Sequence, residues 1–270
     1  MPELPEVETV RRTLLPLIDD RIIAVEVREA RLRRVIATDF KARLSGRTVE
    51  AIERRAKYLL FRLSDGEWLL AHLGMTGSLV VQDGSAAPAA HDHVVLSFAS
   101  GKRLVFNDPR RFGLLRVAAA ETDLPELARI GRDPLTDPLS VEELKQLCRR
   151  RSRPIKNVLM DQALLGGIGN IYASEILFRA AIRPRRRAAS LTRRELERLR
   201  EAMTGVLADA VLLGGSSISD YRDGTGKPGY FQIHHQVYDR AGEPCRVCGT
   251  VIRRVVLLGR STFYCPVCQR

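Results

Sequence analysis

Two Cys-x-x-Cys pairs, Cys245 with Cys248 and Cys265 with Cys268, stand sixteen residues apart near the end of the 270-residue chain. Four thiolates at that spacing fit the corners of one tetrahedron, which forces the segment between them to turn back as a hairpin. Its strands are expected at Val251 to Leu258 and Thr262 to Tyr264, with Gly259-Arg260-Ser261 at the tip. Disulfides are the other use of paired cysteines, and they belong to oxidising compartments. A site closed by four cysteines holds one structural Zn2+ and leaves no position open for chemistry. From 240 to 270 six arginines face one acid, and an arginine on a metal-clamped tip suits insertion beside a phosphate backbone. Cys148 has no partner in sequence and reads as a small buried apolar residue.

At 45% hydrophobic content the rest of the chain can bury one large core or two modest ones. Two periodicities divide it. From Arg21 to about Val117 the pattern is that of strands, including Ile23 to Val27, Tyr58 to Leu63, Trp68 to Leu73 and Val94 to Phe98. Turns at Ser64-Asp65-Gly66 and Ser100-Gly101-Lys102 predict antiparallel hairpins in a sandwich or flattened barrel. Asp83 to Ala90 reads as a flexible surface loop. After Val117 the period is helical, with capping-box signatures at Asp123 with Glu126, Ser140 with Glu143, and Thr192 with Glu195. The last helix should bury Leu196, Leu199, Met203, Val206, Leu207, Ala210 and Val211 and stop at Gly214-Gly215. The Gly-rich segment Ser216 to Tyr230 is either a linker or an element that closes over a ligand. The fold class expected is α+β multidomain: a β-sandwich domain over 1–120, a helical domain over 121–232 and a zinc finger over 233–270.

Lysine and arginine outnumber acids 44 to 32, a formal charge of +12. Neutralising phosphates releases counterions, so a polyanionic partner is implied, although charge alone is not specific. Two acid-free clusters carry much of it: Arg149, Arg150, Arg151, Arg153 and Lys156, then Arg183, Arg185, Arg186 and Arg187. No apolar run reaches the roughly 18 residues of a membrane span and no signal-peptide pattern opens the chain, so cytoplasm is the expected compartment.

Removal of Met1 would leave Pro2 as a free secondary amine beside Glu3. An α-amino group titrates near 8, about two units below lysine, so it is partly uncharged at neutral pH. Attack by a prolyl nitrogen on a sugar carbon gives an iminium with no proton to lose, a strong electron sink. Pro5 at a first helical position followed by Glu6 and Glu8 equally reads as a plain helix start. Asn170, after Gly166-Gly167-Ile168-Gly169, is a candidate N-cap whose helix amides could bind phosphate, or part of a turn between packed helices. Met75 and Phe112, on glycine-flanked turns, are either core residues or wedges for a base stack, with Arg110 reading the opposite base. Lys57 precedes an apolar strand as a solvated edge residue or as a cleft-facing contact.

These segments together resemble the bacterial formamidopyrimidine-DNA glycosylases, enzymes that act as 8-oxoguanine DNA glycosylase and AP lyase. The matching stretches are Met1 to Thr9, Arg55 to Leu60, His72 to Leu79, Asp108 to Gly113, Gly169 to Glu175, Gly226 to Phe231 and the four-cysteine tail, spanning the chain from first residue to last. The resemblance implies an N-terminal helix with an antiparallel β-sandwich, a helix-two-turns-helix domain and a zinc finger. It implies Pro2 as nucleophile on C1′ and Glu3 as acid and base, with Lys57 and Arg260 assisting. Met75, Arg110 and Phe112 would fill the gap left by an everted nucleotide. His91, Arg151, Lys156 and Asn170 would contact double-stranded DNA carrying oxidised bases or abasic sites. A monomer without redox cofactor or catalytic metal is implied. Asn157 departs from the family pattern, in which proline or an apolar residue is frequent, and leaves the local backbone open.

Two other readings carry different chemistry. An endonuclease VIII-like glycosylase for oxidised pyrimidines shares the proline and the tail, but its relatives differ at Leu4 and around Asp108 to Gly113. A non-catalytic zinc-ribbon DNA-binding protein would have the charge and the metal without the amine chemistry.

Overall fold

The chain is described as a computed structural model covering residues 1–270 except 85, 86, 88, 150 and 218–220. Arg150 of the first basic cluster, part of the Asp83–Ala90 loop and three positions of the segment beginning at Ser216 lie outside the described residues. The chain divides into two compact units, 1–128 with 214–230, and 129–213 with 231–270.

The first unit opens with helix α1 (Leu4–Leu14), followed by β1 (Ile22–Val27), α2 (Phe40–Leu44), β2 (Val49–Arg55), β3 (Tyr58–Leu63) and β4 (Trp68–His72). Strands β5 (Ser78–Asp83), β6 (Asp92–Phe98), β7 (Lys102–Asn107) and β8 (Leu114–Ala118) follow. They form two antiparallel sheets of four, ordered β1-β6-β7-β5 and β2-β3-β4-β8. Alternation along the strands sends Leu59, Phe61 and Leu63 of one sheet and Val94, Leu96 and Phe98 of the other into a shared core. The hairpins expected at Ser64–Gly66 and Ser100–Lys102 are present, with Gly66 and Gly101 at positive φ.

The second unit holds α3 (Val141–Cys148), α4 (Ile155–Leu159), α5 (Asn170–Arg179) and α6 (Arg193–Leu212). Both capping boxes assigned to this unit form: the Glu143 N–H donates to Ser140 Oγ at 3.2 Å and the Glu195 N–H to Thr192 Oγ1 at 3.3 Å. The seven apolar residues expected on one face of α6 are all buried. The third box fails. Glu121–Asp123 is a single 3-10 turn, because the Glu126 carboxylate pairs with Arg116 of β8 at 3.1 Å and leaves the cap unmade. Asn157 lies inside α4, so the backbone there is helical.

The tail forms the hairpin β9 (Arg253–Leu257) and β10 (Arg260–Tyr264). Arg260 pairs with Leu257 as the first residue of β10, and Leu258 and Gly259, both at positive φ, make the two-residue turn. Arg260 and Ser261 therefore flank the tip, where the sequence placed them on it. Cys245, Cys265, Ile252 and Phe263 share a small core with Phe178 of α5. No helix among the described residues is long and apolar enough to cross a membrane.

Candidate active site and nucleic-acid interface

In the sandwich unit, Leu4 takes the first helical position that the sequence assigned to Pro5, and Glu3 is the N-cap. Pro2 and Glu3 are buried, whereas Met1 is 46% exposed. The Glu3 backbone N–H donates to Glu6 Oε2 at 2.7 Å, and Glu6 Oε1 accepts the Ser216 N–H at 2.7 Å. The Tyr221 hydroxyl donates to the Glu6 carbonyl at 3.1 Å and the Gly224 N–H to Thr13 Oγ1 at 2.8 Å. The described part of the Gly-rich segment is thus stitched along α1. Gly215 is obligatory there: its φ is +79°, and a Cβ would stand 2.7 Å from Glu6 Oε1. Burial and then the Glu6 charge push the Tyr221 phenol up. Glu8 receives Arg11, Arg12 and Arg54 at 2.8, 2.9 and 3.0 Å. Burial alone would raise its carboxyl, but hydrogen bonds from Arg11 and Arg12 and the nearby guanidinium charges bring it to about 2. In the sequence Glu6 and Glu8 read as helix-start residues, and these links to partners as distant as Arg54 and Ser216 leave no local signal.

Lys57 is buried in the two-residue turn between β2 and β3 rather than solvated on an edge. Its charge bears on His72, whose ring lies 4.8 Å from that of Tyr58. Burial first, then the charges of Arg33 and Lys57, depress His72 to about 4. Its Nδ1 accepts the Gly74 N–H at 3.0 Å, which assigns the ring proton to Nε2 and fixes the entry to the Met75 turn. Met75 and Phe112 are 42% and 43% exposed, so neither is core. The Arg110 guanidinium lies 4.8 Å over the Phe112 ring. His91 is exposed at φ +68°, and its carbonyl accepts the Asp108 N–H at 3.1 Å.

In the helical unit the four cysteine sulfurs lie within 4.8 Å of one another, with Cys245 and Cys268 at 3.9 Å and Cys248 and Cys265 at 3.5 Å. A tetrahedral zinc–thiolate centre has sulfurs about 3.8 Å apart, so the residues fit one structural Zn2+. Lys156, expected to contact DNA, is 1% exposed. Its Nζ donates to Asn170 Oδ1 at 2.7 Å and Thr262 Oγ1 at 2.8 Å, joining α4 to α5 and β10. Asn170 is the first residue of α5, not its cap; its amide nitrogen donates to the Ser261 carbonyl at 3.0 Å, next to Arg260. Arg260 itself is exposed. Half-buried Arg151 donates to the Leu147 carbonyl at the end of α3. The second basic cluster is partly structural: Arg183 binds the carbonyls of Gln269 and Pro266, each at 2.9 Å, and Arg186 pairs with Glu195 at 3.0 Å. Glu175 was missed. Its buried carboxylate accepts the N–H groups of Gln236, Val237 and Tyr238 at 2.9, 3.0 and 2.8 Å, and burial pushes it up. An acid within the apolar run Ile171 to Phe178 was the signal.

Residues 1–115 match the formamidopyrimidine-DNA glycosylase N-terminal domain, 130–222 the formamidopyrimidine-DNA glycosylase H2TH domain, and 242–270 a zinc finger found in FPG and IleRS. The formamidopyrimidine-DNA glycosylase of Rhodopseudomonas palustris is 46% identical over 292 residues, covering 100% of both chains. The MutM (Fpg) protein from Thermus thermophilus superposes with a TM-score of 0.88 at 42% identity, over 99% of this chain and 98% of that one. Lactococcus lactis Fpg (MutM), solved in complex with Fapy-dG-containing DNA, gives 0.90 at 35% identity, over 99% of this chain and 100% of that one.

Proposed function

Since the chain belongs to the formamidopyrimidine-DNA glycosylase family, we propose that it excises oxidised purines from duplex DNA through an iminium on Pro2 and then cuts the strand. The observation that carries this reading is the buried Pro2–Glu3 pair at the start of α1, with Glu6 tied both to Glu3 and to the Gly-rich segment. A base inside a duplex hides its sugar carbon, so the lesion must first be everted, at a cost of a few kcal/mol. Met75 and Phe112 enter the vacated space, and Arg110 offers its donors to the O2 and N3 acceptors of the opposite cytosine.

After loss of Met1, the Pro2 nitrogen forms its bond to C1′ as the glycosidic bond breaks and the base departs with a proton. Glu3 supplies and collects protons. The ring opens to a cationic iminium that acidifies C2′; loss of that proton expels the 3′ phosphate, and a second elimination expels the 5′ phosphate. Lys57 and Arg260 neutralise phosphates around the sugar, with His91, Arg151 and Asn170 on the flanking backbone. Lys156 acts through Asn170 and the hairpin it holds. The zinc is structural, and no step runs through it.

The test is kcat/KM on duplexes carrying 8-oxoguanine opposite cytosine and on duplexes carrying thymine glycol. Preference for 8-oxoguanine by roughly ten- to a hundredfold is expected from one unmatched polar edge in the pocket. Preference for thymine glycol assigns the chain to oxidised pyrimidines, and cleavage of neither leaves a DNA-binding protein without this activity.

A further inference from the structure

Gly74 and Phe112 are far apart in sequence, yet their turns meet backbone to backbone. A Cβ on Gly74 would stand 2.4 Å from the Phe112 carbonyl carbon. Behind this contact lies Asp108, fully buried at 0% exposure. Its Oδ1 accepts the Thr76 hydroxyl at 2.6 Å, and its Oδ2 accepts the Gly113 N–H at 2.7 Å. Thr76 Oγ1 in turn accepts the Arg110 N–H at 3.3 Å, which makes a directed chain from Arg110 through Thr76 to Asp108. The Asp108 backbone extends the network: its N–H donates to the His91 carbonyl at 3.1 Å and its carbonyl accepts His93 Nε2 at 2.8 Å.

A buried carboxylate persists only where donors replace the water it has lost. Here the donors come from both turns that present the exposed Met75, Arg110 and Phe112. Unstacking DNA is costly, and a wedge on two independently mobile turns would also lose conformational freedom on entering. A wedge braced beforehand avoids that loss. Resting on the reading above that these residues enter the duplex, we propose that Asp108 is a positioning residue: through Thr76 it braces the Met75 and Arg110–Phe112 turns into one preformed wedge. It touches no reacting atom. Its effect should appear where a base must be everted and its partner read, and be small where the base is already gone.

The decisive pair is Thr76→Val, which keeps the shape and removes the hydroxyl, and Thr76→Ser, which keeps the hydroxyl. Each is assayed on 8-oxoguanine opposite cytosine, 8-oxoguanine opposite adenine, and a preformed abasic site, with thermal unfolding measured alongside. Thr76→Val should lower kcat/KM on the cytosine duplex about tenfold, the scale of leaving a buried carboxylate oxygen without its donor, and narrow the cytosine-over-adenine preference. Abasic-site cleavage should stay within about twofold, and Thr76→Ser should restore the lesion activity. Asp108→Asn keeps an acceptor for Gly113 and reverses the bond to Thr76, so it should fall between the two. Unchanged selectivity and excision in Thr76→Val overturns the brace, as does an equal loss on all three substrates, which marks a general loss of stability. Wild-type protein inactive on 8-oxoguanine overturns instead the function on which the brace rests.

Discussion

Burial keeps the imidazole of His72 uncharged at neutral pH, and this single ring sets the entry to the Met75 turn through its bond to the Gly74 N–H. A histidine whose value falls from 6.5 to about 4 on folding contributes stability that is complete above 6.5. That contribution is lost as pH falls from 6.5 through 4, because the unfolded chain takes up the proton first. The difference amounts to about 3 kcal/mol at one pKa unit per 1.36 kcal/mol. His235 in the helical unit is depressed in the same sense, so the comparison must be with a variant. Urea unfolding of wild type and His72→Asn across pH 7.5 to 4 should show the variant losing less stability on acidification. Parallel curves would place the pH dependence elsewhere. The same scale shows where sequence stops being legible. Lys156 reads as one more cation in a basic run, and only the fold closes Asn170 and Thr262 around it. Asp108 lies within a recognisable motif, yet its work depends on Thr76, 32 residues earlier.

Among the elements, the zinc hairpin depends most on a ligand. Lys156 and Asn170 meet it at Ser261 and Thr262, and its β10 begins with Arg260. Binding of the metal is coupled to folding of so small a hairpin. Cys245→Ala should therefore lose zinc and weaken DNA binding, while the sandwich stays folded. The single tryptophan, Trp68 in β4, reports on the sandwich. Its emission and denaturation midpoint should match wild type; active protein without zinc by elemental analysis would contradict the account. Local signals gave the elements well where neighbouring residues decide the structure, as at the boxes of Ser140 and Thr192 and the stop of α6 at Gly214. They misled where a distant partner competes, as Arg116 does for Glu126. The tip, expected over Gly259 to Ser261, is the tighter turn Leu258-Gly259, because Arg260 and Ser261 pair into β10. Strands β2, β5 and β8 carry no run singled out in the sequence, and β7 follows only from the hairpin at Ser100 to Lys102: β2, with Glu50, Glu53, Arg54 and Arg55, lacks a long apolar run and owes its place to pairing with β3.

For the whole molecule, the charge of +12 becomes a statement about binding once structural arginines are set apart. Arg183 and Arg186 are held by carbonyls and a carboxylate within the fold, and Lys57, Arg151 and the exposed Arg260 are the cations proposed at phosphates. Three neutralised phosphates give a slope of log K against log salt of roughly −3. Fluorescence anisotropy with an abasic-analogue duplex between 50 and 300 mM salt, about the range used for such slopes, measures it; a slope near zero would remove the electrostatic footprint. The account as a whole stands on the amine of Pro2. Incubation with 8-oxoguanine duplex and borohydride, followed by proteolysis and mass spectrometry, locates the atom bound to DNA. The account predicts one crosslink, on the N-terminal peptide at Pro2, absent when any residue is retained before it. A crosslink mapped to Lys57 or another lysine, or full excision with a blocked terminus, would contradict it.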